Sequence, residues 1–214
     1  TGGTSNSVHS EYGSIGGGYS NVVVGYGGVV GGGYWNIVQD SFATVGGGYF
    51  GTSSGYAATV GGGWNNAATS EFATISGGQH NRATGANAVV CGGAANVASG
   101  NFSVIIGGGD NVGGNVNESY AVRPGRQLAQ GRWATVLGGH TNTVLGNESV
   151  ALGVRAHVTH SRAAVFGFRA VSSMSPVCPS MGNGSVHMCV DNGVYINGAR
   201  AATVPMLASN ISML

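Results

Sequence analysis

Lysine is missing from this 214-residue chain, and its eight basic residues are all arginine. Charged residues of both signs make up 7% of the sequence, where an ordinary globular domain carries roughly 25%. With a net charge of +1, so few cations exclude a nucleic-acid partner held by phosphate contacts. Proline is scarce at 4 residues and glycine follows no three-residue period, which excludes a collagen helix. No apolar run approaches the ~18 residues of a membrane-crossing helix, so no membrane insertion is expected. The chain opens on Thr1, which reads as a processed or excised end, so a missing targeting signal carries no information.

Glycine is abundant instead. Its 42 residues are about one in five, against a usual ~7%. The chain is also 42% hydrophobic, which a disordered glycine linker is not. The glycines fall in a repeat. Gly-Gly-x-x-Asn stands at Gly17, Gly18 and Asn21, and returns at a spacing of 15 with Asn36, Asn66, Asn81, Asn96 and Asn111. The copy at Gly47 and Gly48 has Gly51 in place of the Asn. Gly138, Gly139 and Asn142 form a further copy two periods on, with one residue inserted.

Each aligned column has a physical reading. Two positions before the Gly pair stand Ile15, Val30, Val45, Val60, Ile75, Val90, Ile105 and Val136, all β-branched and suited to a buried strand. Two residues earlier the column is small: Gly13, Gly28, Ala43, Ala58, Ala73, Ala88, Ser103 and Ala134. A period of two puts both columns on one strand face, with Phe42 to Val45 as one such strand. A second short strand follows the Asn, as at Val22 to Val24 or Ile37 and Val38. The Asn column, which admits only Gly51 as an exception, predicts a left-handed turn; stacked Asn side chains would also form an amide ladder. A second turn falls at Gly25, Asp40, Gly55, Ser70, Gly85, Gly100, Asn115 and Gly146.

Two strands and two turns in 15 residues make one coil of a parallel β-solenoid, with coils about 4.8 Å apart. Roughly ten coils would give a rod about 50 Å long. A coil this short is filled by Ala, Ser and Val, so its core is thin, and association along the rod is expected.

The 15-residue array occupies residues 1–118. Residues 119–171 hold an irregular coil, with Gly125-Arg126-Gln127 where a Gly pair would sit, and two 14-residue units. Residues 172–214 hold an irregular stretch to Gly184 and a hairpin of Val186 to Val190 and Val194 to Asn197 about Asp191-Asn192-Gly193. An apolar exit from Val204 to Leu214 completes this third part.

Aromatic residues form the most suggestive constellation. Tyr19, Tyr34, Tyr49 and Trp64 directly follow the Gly pair, with Trp35 and Phe50 beside them. In a solenoid this becomes one ring per coil at a turn. Such a ladder suits the apolar faces of sugar rings, and it equally suits gluing subunits together. A second column, Tyr12, Phe42, Phe72, Phe102 and Trp133, alternates with Gly27, Ala57 and Asn87 on the strand and reads as packing at a core or interface.

His157 and His160, three apart, would lie on opposite faces of a strand. They have no carboxylate or cysteine at ligand spacing, so neither metal nor cofactor is expected. Cys91 reads as a small residue in a column otherwise made of Gly16, Gly46, Gly61, Ser76 and Ile106. Cys178 and Cys189 either pair in an oxidising compartment or stay free; the spacing alone does not decide. The carboxylates Glu11, Asp40, Glu71, Asp110, Glu118, Glu148 and Asp191 lie mostly at turns and form no acid–base pair. No enzyme activity is expected.

The units Ser149-Val-Ala-Leu-Gly153 and Ala163 to Gly167 resemble the head repeats of trimeric autotransporter adhesins. The longer array resembles the repeat region of virion tail-fibre-like proteins, with segments such as Phe42-Ala-Thr-Val45 and Phe72-Ala-Thr-Ile75 and the Gly125-Arg126-Gln127 step. The Val186 to Gly198 hairpin resembles the segment that often precedes their self-cleaving chaperone. The resemblance implies a left-handed parallel β-roll, an intertwined homotrimer with a C-terminal β-hairpin cap. It implies an extracellular place on a virion or cell surface, and a host glycan or receptor as partner. Any such chaperone would lie outside this chain, either cleaved away after Leu214 or never present, so no protease activity is carried over. A tail-fibre attachment segment is the first reading and a bacterial surface adhesin the second. A polysaccharide-degrading enzyme with an inter-subunit site is disfavoured by the scarcity of charge. An ice-binding face on Thr44, Thr59 and Thr74 is disfavoured because Val29, Val89 and Val104 interrupt the column.

Overall fold

The computed structural model describes residues 2–109, 128–168, 178–190, 194–196 and 199–202. Among these the chain is all-β, with no helix. Two parallel sheets of 11 strands each run side by side, and the chain alternates between them, so that each strand pairs with the next but one. This is a β-solenoid. One sheet begins Ser7–Val8, Val22–Val23, Ile37–Val38; the other begins Ser14–Ile15, Val29–Val30, Thr44–Val45. Register advances by the sequence repeat: Val22 pairs with Ile37, and Val29 with Thr44.

Most strands are two residues long, and the second residue faces inward. Val23, Val38, Ala68, Ala83, Ala98 and Val144 fill one wall, and Val30, Val45, Val60, Ile75, Val90, Ile105 and Val136 fill the other, all fully buried. The small column of Ala43, Ala58, Ala73 and Ala88 completes the interior. Each buried Val contributes about 1.5–3 kcal/mol, so a coil rests on two such side chains and little else.

Both turns of each coil use the left-handed backbone region. Ser20, Trp35, Phe50, Asn65, His80 and Ala95 form one column with φ between 52° and 56°. Tyr12, Phe42, Ala57, Phe72, Asn87, Phe102 and Trp133 form the other, with φ between 51° and 58°. Side-chain-bearing residues there cost roughly 1–2 kcal/mol each. The turn hydrogen bonds that hold them return roughly 0.5–1.5 kcal/mol each. Strand N–H groups donate forward, as Ser7 to the Asn21 carbonyl, while these turn N–H groups donate backward, as Trp35 to the Tyr19 carbonyl and Phe42 to the Tyr26 carbonyl. Each coil is thus pinned from both neighbours.

This corrects two readings of the sequence. The left-handed residue is the one before the Asn, not the Asn or Gly51 itself. Asparagine is selected there for its side chain, which is buried and hydrogen-bonded to the next coil. The Phe42 column lies on a turn and not on a strand, since the strand covers only Thr44–Val45.

The array continues past residue 109 without a full intermediate coil. Val104 pairs directly with Thr135, and Val97 with Leu128. The two coils expected from that sequence spacing are therefore one rung; residues 110–127, including Asn111, Asp110, Asn115, Glu118 and Gly125-Arg126-Gln127, lie outside the described residues. The change from 15 to 14 residues occurs at the register shift between Val136 and Gly139. Val186–Val190 is the last described strand of the second sheet, pairing in parallel with Ala164–Phe168. The antiparallel pair is Val194–Ile196 with Ala199–Ala202. Cys178–Pro179, expected in an irregular stretch, is the last strand of the first sheet. The Asp191-Asn192-Gly193 turn and Val204 to Leu214 lie outside the described residues.

Candidate functional site

The aromatic edge is built by the repeat itself. Tyr19, Tyr34, Tyr49 and Trp64 form successive single-residue parallel bridges, a third rung that connects the two sheets at one corner. The glycine before each is required. Gly33 has φ +89°, and a Cβ on it would land on the Gly48 carbonyl oxygen. Trp35 and Phe50 take the left-handed position that follows, which turns their rings to the same corner as the bridge residues.

Five of the six expected residues form one cluster. Tyr19 meets Tyr34 at 6.2 Å and Trp35 edge-on at 5.8 Å. Trp35 meets Tyr49 edge-on at 5.3 Å and stacks on Phe50 at 5.1 Å with planes 12° apart. Tyr49 meets Phe50 at 4.5 Å. Trp64 packs instead on His80, whose Nδ1 lies 3.0 Å from the Asn65 amide nitrogen. The whole edge is open: Tyr34 is 54% exposed and Trp35 38%. No charged residue falls in residues 13–24, 28–39, 43–55 or 58–70, the stretches that carry this edge. Glu11, Asp40 and Glu71 all sit at the other turn.

That other turn carries a second aromatic edge. Tyr12, Tyr26, Phe42, Tyr56 and Phe72 make a continuous edge-to-face zipper, with centroids 5.3, 5.7, 5.8 and 5.6 Å apart. The expected alternation of large and small residues is its cause. Where the turn residue is Gly27 or Ala57, the ring comes from the preceding position, Tyr26 or Tyr56. A Cβ on Gly27 would lie 3.2 Å from the Phe42 ring. Tyr26 and Tyr56 escaped the column reading because they alternate columns; a search at twice the repeat length finds them. These rings are exposed on the single chain, and not buried as core. Further along, Phe102 and Trp133 meet at 5.8 Å with their planes tilted by 30°, and the Arg132 guanidinium lies 4.1 Å from the Trp133 centroid.

The asparagines are structural. Asn21, Asn36, Asn66, Asn81, Asn96 and Asn142 are all buried. Each side-chain amide donates to the carbonyl four residues earlier, as Asn36 to Gly32. It donates also to the glycine carbonyl that closes its own coil, as Asn36 to Gly48.

The remaining candidates are dispersed. His157 lies in the strand Ala156–Val158, but His160 lies beyond it in the following turn, so the two do not share a strand. The His160 Nδ1 lies 2.9 Å from the buried Ser180 Oγ, which also accepts the backbone N–H groups of Thr159 and His160. His187 occupies the register of the inward-facing Val165. Its burial, and then the nearby charge of His160, hold its pKa below the ordinary 6.5. Cys91 is exposed rather than packed away. The pairing of Cys178 with Cys189 lies outside the described side chains. Glu148 and Arg162 form an exposed ion pair at 3.5 Å. Among the described residues no group of three or more His, Cys, Asp or Glu is placed to hold a metal. A recess at the first coil, lined by Gly3, Asn6, Val8 and Ile15 among others, contains no carboxylate, imidazole or cation.

No protein-family model matches the chain, and no curated protein sequence matches it.

Proposed function

We propose that this chain is an attachment segment of an extracellular fibre, displayed on a virion, that binds a host surface glycan along its Tyr19–Trp64 edge. The observation that carries the reading is the cluster of Tyr19, Tyr34, Trp35, Tyr49 and Phe50. Five rings linked by successive contacts stay open to solvent on a corner that bears no charge. Exposed aromatic patches of this kind mark binding surfaces, and aromatic faces with polar tips suit sugar rings. The absence of charge along the edge favours a neutral or weakly charged glycan. The thin core and the second aromatic edge support self-association. Three copies side by side would bury the Tyr12–Phe72 zipper and leave the first edge for ligand.

The test is binding of the purified protein to a broad polysaccharide and glycan panel, with its mass measured by light scattering in the same buffer. A trimer that binds a defined glycan, and loses it on Tyr34→Ala with Trp35→Ala, supports the reading. An intact trimer that binds none of the panel assigns the rings to packing and the chain to a fibre shaft. A monomeric mass overturns the three-chain arrangement.

A further inference from the structure

Among the described residues, each coil that begins with an Asn of the ladder is closed by the same clasp. The Asn side chain at the start of a coil donates to a glycine carbonyl at its end: Asn21 to Gly33 at 2.8 Å, Asn66 to Gly78 at 2.8 Å, Asn81 to Gly93 at 3.0 Å. In the first 14-residue coil the clasp is Asn142 to Gly153 at 2.7 Å, across eleven residues. The next coil has Ala156 and Gly167 at these positions and no side chain able to make it. In the last coil the two positions are Cys178 and Cys189. Cys178 is in register with Ala156, whose N–H donates to the Asn142 Oδ1, and Cys189 is in register with Gly167, itself in register with Gly153. Cys178 and Cys189 are also eleven residues apart.

We propose that Cys178 and Cys189 form a disulfide that replaces the Asn–Gly clasp and closes the last coil covalently. An asparagine amide that reaches a carbonyl across the coil needs two backbones within one side chain's length, and a disulfide bridges Cα atoms about 4.4–6.8 Å apart. Gly139 and Gly153 have φ near +100°, but Gly167 has left the left-handed region. A Cβ on Gly167 would still collide with the Val154 carbonyl oxygen, so a side chain at this position first occurs one coil later, at Cys189. The coil has less apolar filling than the one below: Ser180, Ser185 and His187 stand where that coil has Val158, Ala163 and Val165. A terminal coil short of apolar contacts gains most from a covalent closure. The oxidant is a small-molecule or protein disulfide such as oxidised glutathione. One thiolate attacks it and the second displaces the mixed disulfide. The S–S bond forms, and two electrons and the two thiol protons leave as two molecules of reduced thiol.

The test treats the full chain with oxidised glutathione, quenches it in acid, then denatures and alkylates it without reductant. The expected result is one alkyl label, on Cys91, rising to three after reduction. Trypsin releases residues 170–200 as one peptide, since no Arg lies between Arg169 and Arg200, and this peptide is expected two hydrogen atoms lighter before reduction. Three labels without reductant, glutathione left on either cysteine, or a link to Cys91 overturns the proposal. The double substitution Met188→Cys with Cys189→Ala moves the thiol to the register of Phe166. It is expected to label on all three cysteines. Pairing of that variant as complete as in the parent shows that coil register is not the cause, and overturns the proposal as well.

Discussion

Asn36 donates both its backbone N–H and its side-chain amide to the Oδ1 of Asn21, at 3.0 and 3.1 Å. The same amide nitrogen reaches the Gly32 and Gly48 carbonyls at 2.9 and 3.1 Å. One buried side chain therefore joins three successive coils. Replacing it leaves several buried polar groups without partners, and each costs roughly 1–3 kcal/mol. Asn36→Ala is expected to destabilise the chain by about 2–4 kcal/mol, read as a lower denaturant midpoint. A change below about 0.5 kcal/mol would contradict the ladder's structural role.

Gly51 is the gap in that ladder. Its N–H still donates to the Asn36 Oδ1 at 2.8 Å, but it offers no side chain onward. Its φ is not left-handed, so the backbone admits an Asn; the added Cβ would lie 2.9 Å from the Asn36 Oδ1 and 3.0 Å from a Val45 methyl, and these side-chain ends must shift slightly to take it. Gly51→Asn is expected to stabilise by about 1 kcal/mol, from the restored amide bonds and a less flexible unfolded chain. Thermal unfolding of the variant beside the parent checks the sign.

Ala57 holds φ at +51° with no ring to compensate. Ala57→Gly removes the left-handed cost of roughly 1–2 kcal/mol and adds about 0.5–1 kcal/mol of glycine entropy. The net expectation is neutral to slightly stabilising. At Phe42, also left-handed, glycine instead deletes the ring between Tyr26 and Tyr56, and a net loss is expected. Opposite signs at the two positions, measured by chemical denaturation, would separate backbone strain from ring packing.

How much of this was legible follows from what repeats. The 15-residue period predicted both strand columns and the inward Val and Ala columns, because each coil must solve the same packing problem. The amide ladder followed from the Asn column for the same reason. The left-handed positions were misplaced by one residue because Ser20, Trp35 and Phe50 are not residues that favour positive φ; only the inter-coil hydrogen bonds reveal why they sit there. The Tyr26 and Tyr56 half of the second edge was hidden by its doubled period. The absence of a coil between Val104 and Thr135, and the place of Val186–Val190 in the main sheet, depend on pairings between distant segments that no local pattern encodes.

His187 stands in a core column with its pKa lowered by burial and by His160. The folded chain favours its neutral form, so the unfolded chain binds more protons as pH falls through the ordinary value near 6.5. Stability from this residue is present above 6.5 and is lost as pH drops below it. Denaturation midpoints between pH 8 and 5 should fall for the parent and fall less for His187→Val, which continues the Val165 column. Equal pH dependence in both would contradict the assignment.

The most direct test of the account compares the two aromatic edges by calorimetric titration of one glycan selected from the panel. Tyr34→Ala with Trp35→Ala is expected to weaken binding at least about tenfold, roughly 1.4 kcal/mol, while Phe42→Ala with Phe72→Ala leaves it within about twofold if the assembly persists. Affinity lost only through Phe42 and Phe72, or retained in both variants, would contradict the Tyr19–Trp64 edge as the binding surface.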